Sequence, residues 1–81
     1  MIGVTVRLFA GLRETAGAGE LSLALPPAAT VADAWAELAL RFPALPAADT
    51  VSCAVNRAYA SPASPLADGD ELAFIPPVSG G

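Results

Sequence analysis

The sequence predicts an α+β fold, a mixed sheet with one main helix packed across it. Three observations carry this. Apolar residues alternate with period two near both ends of the chain and again around residue 53. One stretch between them, from Val31 to Phe42, repeats its apolar residues at helical spacing instead. The order is therefore a strand pair, a helix and further strands, which calls for a right-handed crossover and a parallel pair within one sheet.

The elements follow in chain order. Ile2, Val4, Val6, Leu8 and Ala10 fall on one side of a first strand, with Thr5, Arg7 and Phe9 on the other. The next stretch, Gly11 to Gly19, contains three glycines and reads as a loop or short helical turn. Leu21, Leu23 and Leu25 alternate with Ser22 and Ala24 in a second strand, which Pro26-Pro27 ends. Thr30 suits a helix N-cap, with Asp33 placed to complete a capping box. Val31, Ala34, Trp35, Leu38 and Phe42 make the apolar face of that helix. Glu37 and Arg41 are spaced for an ion pair, and Pro43 stops the helix near Phe42. Leu40 lies off the apolar face.

Val51, Cys53 and Val55 form a third strand, turning at Asn56-Arg57 into a short extended piece around Tyr59. Asp68-Gly69-Asp70 is a tight turn in which Gly69 is free to take positive φ. In the last strand Leu72 and Phe74 face one way, and Glu71, Ala73 and Ile75 the other. Pro76-Pro77 lacks two backbone donors, so the ladder ends there. One sheet with one amphipathic helix across it, in this order, is the β-grasp arrangement. Residues 1–77 are read as that domain and 78–81 as a flexible C-terminal tail.

Composition narrows the function. The net charge of −4 makes the surface repel a phosphate backbone, which argues against nucleic-acid binding and for docking on basic partner surfaces. All four basic residues are arginines (Arg7, Arg13, Arg41, Arg57), so Schiff-base and Walker-type lysine chemistry is excluded. The absence of histidine removes the commonest general base and most zinc sites. A single cysteine permits no intramolecular disulfide and fits a reducing cytoplasm. No signal peptide or membrane-spanning run is expected, because Met1-Ile2-Gly3-Val4 lacks the charged start and every apolar stretch is interrupted.

The candidate sites within the domain are weak. Cys53 is in phase with Val51 and Val55 and reads as a small buried hydrophobe. Asp68, Asp70 and Glu71 are turn formers and lack the alternating oxygen ligands of a calcium loop. Gly17-Ala18-Gly19 does not open a helix behind a strand, as a dinucleotide fingerprint must. No metal and no bound cofactor is expected from this chain alone.

The tail is different. Beyond the prolines, Val78-Ser79-Gly80-Gly81 has no element left to join, and the six residues from Pro76 to Gly81 reach roughly 20 Å. Gly80 and Gly81 carry no side chains and suit a channel only as wide as a backbone. The terminal carboxylate, with a reference pKa of about 3.3–3.7, is ionised at neutral pH and able to attack a nucleotide phosphate. An acyl-adenylate formed there is electrophilic, and a sulfur nucleophile displacing AMP leaves a thiocarboxylate.

Three segments resemble the small subunit of molybdopterin synthase. Arg7-Leu8-Phe9-Ala10-Gly11-Leu12-Arg13-Glu14 followed by Gly17 is similar to that family's opening, and Ala54-Val55-Asn56-Arg57 to its middle strand and turn. Pro65 to Gly81, ending Phe74-Ile75-Pro76-Pro77-Val78-Ser79-Gly80-Gly81, matches its C-terminal signature almost throughout. The resemblance implies a ubiquitin-like sulfur carrier. An ATP-dependent activating enzyme would adenylate Gly81, which then holds sulfur as a thiocarboxylate, while Gly80 keeps the tail narrow. A large subunit would receive the tail and supply the catalytic groups. There the sulfur goes to a cyclic pyranopterin monophosphate to build the dithiolene that binds molybdenum.

Phe9 and Ile75 lie out of phase with the buried residues of their strands. They predict an apolar docking patch beside the departing tail, continued by Pro76, Pro77, Val78 and Ser79. Two rival readings share the fold: a sulfur carrier for thiamine or another sulfur-containing metabolite, and a non-catalytic β-grasp binding module or protein modifier, the latter forming isopeptide bonds through Gly81. A β-grasp electron carrier is ruled out by the single cysteine.

Overall fold

Alternation at the N-terminus produces the first strand of the computed structural model, which describes residues 1–76. The strand, β1 (Ile2–Leu8), buries Val4, Val6 and Leu8 and leaves Gly3 and Arg7 exposed. It ends two residues sooner than the alternation suggests. Phe9 is extended and caps a helix, α1 (Ala10–Ala16), where a loop or single turn was expected. The backbone N–H groups of Leu12 and Arg13 both donate to the Phe9 carbonyl, at 3.1 and 3.4 Å. Only Leu12 of this helix is buried. Gly17 closes it with φ 73, a left-handed C-cap that glycine adopts without steric cost.

Next come β2 (Glu20–Leu25) and α2 (Val31–Arg41). The predicted capping box is present. The Asp33 N–H donates to Thr30 Oγ1 at 3.3 Å, and the Thr30 N–H donates to Asp33 Oδ2 at 2.8 Å. The next two N–H groups of α2, which no helix carbonyl can reach, are taken up by the loop before the last strand. Val31 donates to the Ser64 carbonyl at 3.0 Å and Ala32 to that of Pro62 at 2.9 Å. Val31, Ala34, Trp35 and Leu38 are buried, while Phe42 is the half-buried C-cap and Leu40 is exposed. The ion pairs among the described residues both involve Arg7, so Glu37 and Arg41 do not pair as their spacing suggested.

A 3-10 turn (Ala48–Thr50) leads to β3 (Ser52–Val55), β4 (Ala58–Ala60) and β5 (Glu71–Ile75). The five strands form one mixed sheet in the order β2-β1-β5-β3-β4. β1 and β5 are parallel, as the crossover requires, and the remaining pairs are antiparallel. The last strand thus lies at the centre of the sheet, between the first and the third. This is the ubiquitin-like β-grasp fold.

The helices cover one face only. Beneath them Leu8, Phe74, Cys53 and Ala60 stand in register across four strands. Phe74 meets Trp35 with ring centroids 4.6 Å apart and planes inclined by 58°, a tilted aromatic pair. The Trp35 indole N–H donates to the Pro46 carbonyl at 3.2 Å, so its one polar atom is satisfied. Leu38 and Leu72 complete a core in which both are fully buried.

Candidate functional site at the open face of the sheet

Among the described residues no element covers the opposite face, which carries a hollow of about 450 Å³. Its floor follows from strand register. Arg7 pairs with Ala73, Ala73 with Ala54, and Ala54 with Tyr59, which sets one row across β1, β5, β3 and β4. The two central members are alanines, so the middle of the row is shallow. Around it stand Phe9 and Ile75 at one end, Tyr59 along the β4 side, and Glu71 and Arg57 toward the hairpin turn. Phe9 is 45% exposed and Tyr59 86% exposed, large apolar surfaces left to solvent at the rim.

The sequence-predicted pair, Phe9 and Ile75, does line a single hollow. Phe9 reaches it from the cap of α1, not from within β1, and the parallel register that ends at Leu8 opposite Phe74 brings it beside Ile75. Pro76 follows Ile75 directly and is half-buried. Pro77, Val78, Ser79, Gly80 and Gly81, the rest of the predicted site, lie outside the described residues.

Sequence reasoning missed most of the hollow: Arg7, Ala54, Arg57, Tyr59, Glu71 and Ala73. The signal was available in part. Tyr59 is a large aromatic in a three-residue strand of otherwise small residues, and the alternation of β3 puts Ala54 on the opposite side from Cys53. What the sequence lacked was the register that joins them.

The charges are arranged unevenly. Arg7 Nε donates to Glu71 Oε2 at 3.0 Å, and Arg7 Nη2 lies 3.4 Å from Glu20 Oε1, so two carboxylates neutralise one guanidinium. Among the described residues Arg57 takes part in neither ion pair. It sits in the two-residue turn joining β3 and β4, where Asn56 and Arg57 both take positive φ, 50 and 71. Asn56 is held firmly. Its amide nitrogen donates to Asp70 Oδ1 at 3.0 Å, its side-chain oxygen accepts from the Glu71 N–H at 2.9 Å, and its own N–H donates to the Glu71 carbonyl at 2.8 Å.

The Asp68-Gly69-Asp70 turn is structural, with Gly69 at φ 87. Asp68 Oδ1 accepts from the Gly3 N–H at 2.7 Å, and Asp70 Oδ2 from the Ala67 N–H at 2.8 Å. These carboxylates are occupied in fastening β5 to its neighbours. Cys53 is buried on the covered face, where its thiol donates to the Ala60 carbonyl at 3.2 Å and burial pushes its pKa up. It is a neutral packing group, unsuited to nucleophilic work. Among the described residues no group of three or more His, Cys, Asp or Glu is placed to hold a metal ion, and no helix is long and apolar enough to cross a membrane.

A five-stranded mixed sheet whose last strand lies at its centre and ends at an open hollow defines the class, a ubiquitin-like β-grasp protein. Likeness to known proteins agrees over the whole chain. The ThiS family model matches residues 6–81, and the chain belongs to that family. It is 39% identical to the molybdopterin synthase sulfur carrier subunit of Arabidopsis thaliana, covering 99% of this chain and 84% of that one. With the protein of the same name from Chlamydomonas reinhardtii it shares 40% identity, over 96% and 98% of the two chains. The crystal structure of H. volcanii small archaeal modifier protein 1 superposes with a TM-score of 0.87 at 32% identity, covering 96% of this chain and all of that one. The resemblance read from the sequence motifs is borne out.

Proposed function

We propose that this chain is the sulfur carrier subunit of a molybdopterin synthase, with Gly81 as the bearer of sulfur. The observation that carries the reading is the position of β5. The last strand is clamped at the centre of the sheet, and it ends at Ile75 beside the open hollow, six residues before Gly81. The body therefore fixes the position of Ile75 and offers a surface beside it for a partner.

In this reading the Gly81 carboxylate attacks the α-phosphate of ATP on a separate activating enzyme, and pyrophosphate leaves. Hydrosulfide-level sulfur (HS⁻) then attacks the acyl carbon, AMP departs, and a thiocarboxylate remains. The large subunit docks on the hollow, takes the tail into its own active site and supplies the acid and base groups that this histidine-free, lysine-free chain lacks. Two thiocarboxylates each give one sulfur to the cyclic pyranopterin monophosphate, two C–S bonds replacing two C–O bonds, and water hydrolyses each acyl group back to the Gly81 carboxylate as the dithiolene forms. Full-length likeness to proteins named as sulfur carrier subunits supports the assignment.

The test is reconstitution with the large subunit and the pterin substrate. The thiocarboxylate form of the chain converts the substrate, and a chain lacking Gly80 and Gly81 does not. Conversion by the truncated chain rejects the reading. The likeness to an archaeal modifier protein favours one second reading, attachment of Gly81 to lysines of other proteins. Isopeptide-linked Gly81 in tryptic digests of cells expressing the chain identifies that use, and persistence of those adducts with no thiocarboxylate pool would replace the first reading by the second. The thiamine-pathway carrier is separated by the substrate: sulfur transfer to the pterin excludes it.

A further inference from the structure

Resting on the docking role just proposed, we infer that the hollow is built to receive a protein segment carrying a carboxylate next to an apolar anchor, and that Arg57 reads that carboxylate. The anchor fits over the Ala54–Ala73 floor between Ile75 and Tyr59, and the carboxylate meets the guanidinium at the hairpin end.

Two independent observations lead there. The first is charge. The protein as a whole is at −4, yet among the described residues lining the hollow the charge outside the ion pairs is positive. Arg7 is spent on Glu71 and Glu20, at 3.0 and 3.4 Å, whereas Arg57 lines the hollow and joins neither pair. A segment bearing only basic or neutral groups would bury that guanidinium without a partner, which is costly in a desolvated interface. A carboxylate instead makes a charge-assisted pair with it.

The second is backbone strain. In two-residue hairpins with both central φ angles positive, Asn is favoured first and Gly second. Asn56 obeys this and Arg57, at φ 71, does not. A long side chain held in the left-handed region is strained relative to an ordinary backbone, and such strain clusters at binding sites. The three hydrogen bonds of Asn56 with Asp70 and Glu71 hold the turn that imposes it, so the backbone from which the Arg57 side chain springs is fixed.

The test uses calorimetric titration of the full chain with the molybdopterin synthase large subunit encoded in the same genome, at about 50 mM and about 300 mM salt. Arg57→Glu is expected to weaken binding by about tenfold or more at low salt and to flatten or invert the salt dependence. Arg57→Gly is expected to weaken binding while raising Tm by a few degrees, because glycine relieves the strained φ. A merely structural arginine gives the opposite combination, unchanged affinity with altered stability. Wild-type affinity in Arg57→Glu overturns the inference and leaves the sulfur-carrier reading intact. No binding of the wild-type chain to the large subunit overturns the docking reading itself, and the inference with it.

Discussion

The two faces of the sheet are made by the same strands, yet they differ in every respect that matters for function. On the covered face the register row is Leu8, Phe74, Cys53 and Ala60, closed over by Trp35 and Leu38 of α2. One residue along, the row is Arg7, Ala73, Ala54 and Tyr59, with nothing of the described chain above it. The period-two geometry of a strand forces this division, since neighbouring side chains point to opposite faces. The lesson is that β5 serves two roles at once. Leu72 and Phe74 anchor it in the core, and Ala73 and Ile75 line the hollow on the open face.

Substitutions that tell the faces apart sharpen the comparison. The largest effect belongs to the core: Phe74→Ala leaves a cavity against Trp35 and is expected to cost about 3–5 kcal/mol, enough to unfold much of so small a domain. Thermal or urea denaturation followed by circular dichroism reads it. Next comes the open face. Phe9→Lys and Ile75→Lys are each expected to weaken large-subunit binding by about tenfold or more, as a charge placed in an apolar contact does. Their Tm values should stay close to wild type. A large fall in Tm with unaltered binding in either variant would mean that the two faces do not divide stability from docking.

A smaller effect is expected at the helix cap. Thr30→Ala removes the Oγ1 acceptor of the Asp33 N–H and should cost about 1 kcal/mol in denaturation experiments, with binding unaffected. The smallest concerns Cys53. Its thiol pKa is raised above the ordinary value of 9.0 by burial, so the folded state favours the neutral thiol. The contribution is fully present below the unfolded pKa and is lost as pH rises toward the folded one. Stability should therefore decline only above about pH 9 on this account, and Cys53→Ala should remove that part of the decline. A thiol reagent should label the native protein far more slowly than the urea-unfolded chain, and equal rates would contradict the buried assignment.

Much of this was legible in the sequence because strand and cap signals are local. The alternation of Leu72, Phe74 and their neighbours fixed the last strand, and Thr30 with Asp33 announced the start of α2. α1 escaped because its evidence is ambiguous at short range: Gly11 weakens the helix, and Leu12 is its sole buried residue. Ala-Gly-Leu-Arg-Glu-Thr-Ala nonetheless contains enough good helix formers to make α1, and the strand ends two residues early, with Ala10 at a left-handed φ of 49, so Phe9 becomes the cap. Phe9 and Ile75 could be paired from phase alone, once the first and last strands were assumed neighbours. Arg57 and Tyr59 could not, because their place depends on the non-local pairing of β3 with β5 and on the turn between β3 and β4.

The central claim is that a β-grasp body holds its last strand so that the carboxyl group of Gly81 serves as the sulfur attachment point. Intact-mass analysis after incubation with ATP, an activating enzyme and a sulfur source addresses it most directly. The account predicts a mass gain equal to exchanging one oxygen for sulfur, located on the peptide ending at Gly81 and lost when that residue is deleted or the chain is extended past it. An unchanged mass, or a gain that persists in the chain lacking Gly81, contradicts it.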